Sequence, residues 1–79
     1  MGRTRRRRPK RLPHKLLKVR QSLGMSQTQM ARALDLEVHY SAVSNYELGT
    51  REPDLLTLLK YSELAGISTD ILIDDRRKL

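Results

Sequence analysis

Residues 24 to 54 are punctuated so closely that only short helices fit between the breaks. Gly24 is a helix terminator, and Ser26 followed three residues later by Gln29 is a capping box that opens a helix at Gln27. Met30, Ala31 and Leu34 supply its inner face at helical spacing. Asp35 to His39 reads as a turn. A further short helix follows from about Tyr40 to Leu48, burying Val43 and Tyr46 and stopping at Gly49. Pro53 and Asp54 then begin another.

The flanking stretches obey the same spacing. Pro13 suits the first turn of a helix, and Leu16, Val19, Arg20 and Leu23 fall on one face, giving a first helix over about His14 to Leu23. After Asp54, Leu55, Leu58, Leu59 and Leu64 repeat with a wide apolar face up to Gly66. Ser68 caps a last short helix, Asp70 lies in its first turn where the helix dipole favours an acid, and Ile71, Leu72 and Ile73 are its apolar residues. The expected fold is all-α: a compact five-helix bundle over residues 13–75, with a basic arm over 1–12 and a charged tail over 76–79. A chain of 79 residues buries only about 60% of its unfolded surface, so one small domain is all it can build. With no Phe, no Trp and three Tyr, packing through aliphatic ridges suits it better than a sheet. The absence of Cys excludes disulfide staples and Cys-ligated zinc. No apolar run approaches the roughly 20 residues of a membrane span, and the basic N-terminus lacks the apolar stretch of a signal peptide. A cytoplasmic, nucleoid-associated location is the expectation.

Net charge is +7, and its distribution is more telling than its size. Arg3, Arg5, Arg6, Arg7, Arg8, Lys10 and Arg11 carry all of the excess without one acid among them, while the remaining nine bases and nine acids cancel. Such a block repels itself and is expected to be disordered when free. Its functional reading is an arm that tracks phosphates or enters a minor groove. A nuclear-localisation or acidic-lipid patch and a solubilising tail stand as rival readings. Next to it lie two short helices separated by a tight polar turn, the first capped and the second polar on its outer face. That arrangement places a helix in the major groove of duplex DNA.

With these helices in place, the chain from about Leu16 to Leu72 resembles the phage-repressor and Cro type of helix-turn-helix domain, the Xre family. The resemblance rests on Met25-Ser26-Gln27 ahead of a small residue at Ala31, on Val43, Tyr46-Glu47 and Gly49, on Arg51 and Pro53, on the leucine-rich fourth helix, and on Gly66-Ile67-Ser68. It implies that Gln27 bonds a backbone phosphate and steadies a neighbouring recognition side chain. Tyr40, Ser41 and Ala42 match the opening of the recognition helix, with Asn45 one turn further on, and these positions face base edges in the family. Asn can pair bidentately with adenine, Ser can meet several bases, and Ala can contact a thymine methyl. Ser44 beside that face and Arg51 after the helix are phosphate candidates, as are Arg5, Arg6, Arg7 and Arg8 of the arm. Arg20 and Glu47 match an internal salt bridge tying the first helix to the third; an Arg amid an apolar helical face supports the pairing independently. The chain departs from the family at Asp35, where Gly is usual, and in a turn about two residues longer, which includes the acid Glu37.

Blander assignments cover the remaining candidates. Tyr46 and Tyr61 read as core rings, and Tyr40 as either a DNA contact or a ring packed on the long turn. His14 and His39 have no ligand-spaced partners and read as surface residues. Asp74 and Asp75, followed by Arg76, Arg77 and Lys78, read as a solvated tail. Homodimerisation on DNA is expected, with Ile71 and Ile73 able to make the contact. The leading functional expectation is a sequence-specific DNA-binding transcriptional regulator, a repressor. The competing one is an antitoxin or phage-type accessory that binds a protein through Ile71, Leu72 and Ile73 and autoregulates through DNA. RNA binding is disfavoured because the folded part lacks exposed aromatics for stacking single-stranded bases. No catalytic constellation, metal site or cofactor motif is present, so an enzyme is not expected.

Overall fold

The computed structural model describes residues 8–35 and 39–79. Five helices follow in order: α1 (Leu12–Ser22), α2 (Gln27–Leu34), α3 (Tyr40–Leu48), α4 (Leu55–Ala65) and α5 (Thr69–Ile73), with no strand among the described residues. α2 packs on α3, and α1 lies across both α3 and the α4–α5 pair. One core joins them: Leu16 and Val19 from α1, Met30 and Leu34 from α2, Val43 and Tyr46 from α3, Tyr61 from α4 and Leu72 from α5 are all buried. Ala31 is buried too, its small side chain on the face α2 turns inward. The rings of Tyr46 and Tyr61 meet edge-on, 6.5 Å apart at 73°, as aromatic quadrupoles prefer.

The helix ends follow the local chemistry. Ser26 Oγ accepts from the Gln29 N–H at 3.1 Å while Gln29 Oε1 accepts from the Ser26 N–H at 2.8 Å, which completes the capping box. Asp35 ends α2 in the left-handed region at φ 48°, where the family's usual Gly would sit without strain. Residues 36–38, including Glu37, lie outside the described residues, as do Arg5, Arg6 and Arg7. Gly49 ends α3 at φ 81°, and a Cβ there would come within 3.2 Å of Pro13 Cγ. Both the conformation and the close approach of α1 therefore require Gly. Asp54 caps α4 through the Thr57 N–H at 2.8 Å, an interaction that holds its carboxyl below the usual range.

Four expectations are corrected. α1 begins at Leu12 rather than His14 and ends at Ser22, because its N-terminus is capped from outside. The Asp75 carboxylate accepts from the Lys10 and Arg11 N–H groups at 3.0 and 2.9 Å, and Leu12 becomes a core residue. Asp75 is thus a cap rather than part of a solvated tail, and Asp74 accepts from Arg76. On α4 only Leu58 of the expected leucine face is fully buried, with Leu64 half-buried. Thr57, Leu58, Tyr61 and Ser62 face the core, so the adjoining stripe, Leu55 and Leu59, is left in solvent beside Leu56. On α5 Leu72 is fully buried, which removes it from any partner surface, while Ile71 is half-buried and Ile73 exposed.

α1 and α5 cap each other. Lys15 is 5% exposed, and its ammonium donates to the carbonyls of Ile71 and Asp74 at 2.7 and 2.9 Å, at the C-terminal end of α5 where a cation is favoured. A five-residue helix has little stability of its own, so this cap and the burial of Leu72 hold it in place. Lys15→Met keeps the stem and strips the carbonyls of their donor. It should cost about 1–3 kcal/mol, read as a melting temperature about 4–8 °C lower for each kcal/mol. The Asp75 carboxyl is depressed by its bonds to Lys10 and then Arg11, so its contribution is full above the unfolded value of about 3.9 and is lost as pH falls through the lower folded value. Thermal melts from pH 7 to pH 2 should therefore show Asp75→Asn losing less stability on acidification than the wild type.

Candidate nucleic-acid interface

An ion pair sets the relation of α1, α2 and α3. Arg20 donates through Nε and Nη2 to the two carboxylate oxygens of Glu47 at 2.6 and 3.0 Å, a fork-to-fork geometry. Its Nη1 donates to the Met25 carbonyl at 2.9 Å, fixing the turn between α1 and α2. Gln27 Nε2 donates to the same Glu47 Oε1 at 3.1 Å. The side chains of Arg20 and Glu47 are 16% and 6% exposed. Hydrogen bonding to Glu47 raises the Arg20 guanidinium above its ordinary value against the pull of burial. Close by, the buried Tyr61 hydroxyl has no hydrogen-bond partner among the described residues, and burial pushes its phenol up, reinforced by the Glu47 charge. The expected Arg20–Glu47 bridge is present.

Gln27 departs from expectation in what it steadies. Its amide nitrogen is committed to Glu47, so it orients the salt bridge rather than a side chain on the outer face of α3. The capping box uses the Gln29 N–H, leaving those of Gln27 and Thr28 for an external anion.

On α3, Tyr40 is 57% exposed and Ser41 is exposed; Ser44 and Asn45 are half-buried. The Tyr40 ring lies 6.1 Å from that of His39, tilted by 47°. Ala42 is only 4% exposed and belongs to the core, so its expected place at the base edges is corrected. It shares the inward stripe of Val43 and Tyr46, which a 100° step per residue makes wide enough to include it. Thr50 escaped the reading of the sequence, although a hydroxyl one residue past the terminating Gly49 was a usable signal. Thr50 Oγ1 donates to Asn45 Oδ1 at 3.1 Å, and the Thr50 and Arg51 N–H groups both return to the Asn45 carbonyl, at 3.0 and 3.3 Å. The Asn45 amide is thereby held in one orientation. Arg51 is exposed just beyond it, and a crevice lined by Arg8, Pro9, Pro13, Gly49, Arg51 and Pro53 sets the root of the arm against this turn. Arg8 and Arg51 therefore flank the end of α3 together. His14 and His39 are exposed, and among the described residues no group of His, Asp and Glu could hold a metal ion.

The family model described as helix-turn-helix matches residues 16–72. This chain belongs to that family. Its helices have the phage-repressor, or Xre, arrangement. A relative in Bacillus subtilis (strain 168), the SPbeta prophage-derived uncharacterized HTH-type transcriptional regulator YonR, is 44% identical over 59 residues, covering 75% of this chain and 53% of the relative. The HTH-type transcriptional regulator ImmR of the same organism is 40% identical over 62 residues, covering 78% and 47%. The chain thus spans about half the length of these relatives. Among solved structures, the P22 c2 repressor in complex with a synthetic operator superposes with a TM-score of 0.72 at 23% identity, over 81% of this chain and 94% of that one. At that identity the likeness is one of fold.

For this helix-turn-helix domain, the ion pair should behave as a unit. Glu47→Leu leaves a guanidinium stranded in a half-buried site and should cost about 3 kcal/mol, as should Arg20→Met. The double variant Arg20→Met/Glu47→Leu should recover most of that stability in urea melts, giving a large coupling energy in the cycle.

Proposed function

We propose that the chain is a sequence-specific, DNA-binding transcriptional regulator of the repressor kind, with α3 in the major groove. The observation that carries this reading is Asn45, presented on the outer side of α3 with its amide oriented by Thr50 and flanked by Arg51 and Arg8. An oriented amide has the donor and acceptor pair needed for bidentate recognition of adenine. Ser41 and Tyr40 at the start of α3 supply neighbouring contacts, and Ser44 and Arg51 take phosphates. The free backbone N–H groups of Gln27 and Thr28 at the start of α2 clamp a further phosphate. The arm residues Arg5, Arg6, Arg7 and Arg8 follow an adjacent groove and supply most of the salt-dependent affinity. The naming of the two relatives as transcriptional regulators and the operator bound to the P22 repressor point the same way.

Homodimerisation completes the reading. Leu55 and Leu56, 80% and 68% exposed, with Leu59 and Ile73 offer apolar surface that a second copy would cover. Leu55 and Ile73 line one groove with Pro53. On this reading the dimer contact lies at the start of α4 and on Ile73, rather than on the whole of α5. A dimer would read half-sites about 34 Å apart, one helical turn.

Selection from a randomised duplex library at about 150 mM salt should enrich a palindrome. Asn45→Ala should weaken binding at one base position by about 1–3 kcal/mol and leave scrambled duplexes unaffected. Replacing Arg5, Arg6, Arg7 and Arg8 together by Gln should weaken all sequences alike and flatten the salt slope, by about 0.9 for each phosphate that is no longer neutralised. Equal weakening on cognate and scrambled duplexes with Asn45→Ala would sink the direct-readout reading.

A further inference from the structure

An open groove of about 820 Å³ runs along the outer side of α1, walled by the α4–α5 turn and by the last residues of the chain. No residue of α2 or α3 lines it, so it is separate from the helices proposed to meet DNA, with Lys10 and Arg11 at the root of the arm on its edge. Its floor is apolar: Val19, Ala65, Ile67 and Leu79, extended by the methylene stems of Lys15 and Lys18. Every titratable side chain lining it is a base. Two of these are already engaged. The Lys15 ammonium is turned to the α5 carbonyls, and Arg77 lies 3.5 Å from Asp70 and 3.8 Å from Asp74. Lys10, Arg11, His14, Lys18 and Lys78 are exposed and hold no salt bridge among the described residues. Asp75, at the Lys10 end, directs its carboxylate to backbone N–H groups.

We propose that this groove is a docking site for an acidic, amphipathic segment of a partner protein, its apolar side chains on the Val19–Ala65–Ile67 floor and its carboxylates among Lys10, Arg11, Lys18 and Lys78. Charge complementarity selects the sign of the partner, and the floor selects its class. A nucleic-acid backbone satisfies cations but offers nothing to cover apolar surface, whereas an amphipathic peptide does both. The groove is open to solvent rather than enclosed, which suits a chain segment better than a small buried ligand. Because α2 and α3 take no part, the segment and a DNA duplex can be held at once.

The test is an NMR titration of the isotopically labelled full chain with a synthetic peptide carrying Glu and Leu at helical spacing. A control peptide has the same composition, scrambled to abolish the apolar face. Amide shifts at His14, Lys18, Ser22, Ile67 and Lys78 are expected, with the amphipathic peptide binding about tenfold or more tightly than the control. Lys18→Glu/Lys78→Glu should abolish that affinity, with Lys18→Gln/Lys78→Gln intermediate; both residues are exposed, so melting curves should stay unchanged. Binding to a duplex should be unaffected, and peptide shifts should persist on the DNA-bound chain. Equal affinity for the two peptides would overturn the proposal, as would shifts confined to the N-terminal arm or to α2 and α3. A charge reversal that weakens duplex binding while sparing the peptide would identify the groove as a phosphate surface instead.

Discussion

The geometry of the helix-turn-helix depends on one carboxylate. Glu47 receives two guanidinium N–H groups from α1 and an amide N–H from the start of α2, while the same guanidinium holds the carbonyl of Met25 in the intervening turn. α2 is only eight residues long and α3 nine. Helices of that length have no independent stability, and apolar packing alone tolerates sliding along the ridges. A multiply bonded ion pair does not slide. It converts a loosely specified packing of three short helices into one angle, and the direction in which Asn45 and Ser41 are offered follows from it.

A second constraint works at the opposite side of α1. The ammonium of Lys15 closes the end of α5, and the carboxylate of Asp75 closes the start of α1. α1 is therefore the common axis: its inner face builds the core, one side carries Arg20 to the recognition unit, and another joins the tail to wall the basic groove. Two surfaces of different chemistry result. One is polar and cation-flanked at the end of α3, and the other is cationic over an apolar floor. α1 joins them, as does the root of the arm, where Arg8 borders the first and Lys10 the second.

Much of this was legible in the sequence where the signal is local. The capping box at Ser26 and Gln29, the stop at Gly49 and the helix start at Pro53 and Asp54 rest on backbone chemistry within a few residues, and each is found within two residues of where the spacing puts it. Arg20 and Glu47 were legible for a different reason: the resemblance pairs them, and a charge on an apolar face supports that pairing. What escaped depends on distant geometry. Nothing near Lys15 announces that its ammonium will meet carbonyls 56 and 59 residues away. Asp75 looked like one of several tail charges until its partners across 64 and 65 residues were seen. Ala42 and the α4 leucines failed on rotation: a wide apolar stripe leaves the core-facing edge undecided, and Tyr61 and Thr57 took the places that Leu55 and Leu59 could have filled. The Asn45–Thr50 bond lay within reach of local reasoning but needed the helix end to be fixed first.

The bonds between Asp75 and the root of the arm have a dynamic meaning as well. They close a loop around almost the whole domain, the most entropically demanding kind of closure to form. They are also tied to a five-residue helix, the sort of element that opens first in local fluctuations. Lifting of α5 would release the Asp75 carboxylate from the N–H groups of Lys10 and Arg11, so one small helix governs how firmly the start of α1 is held.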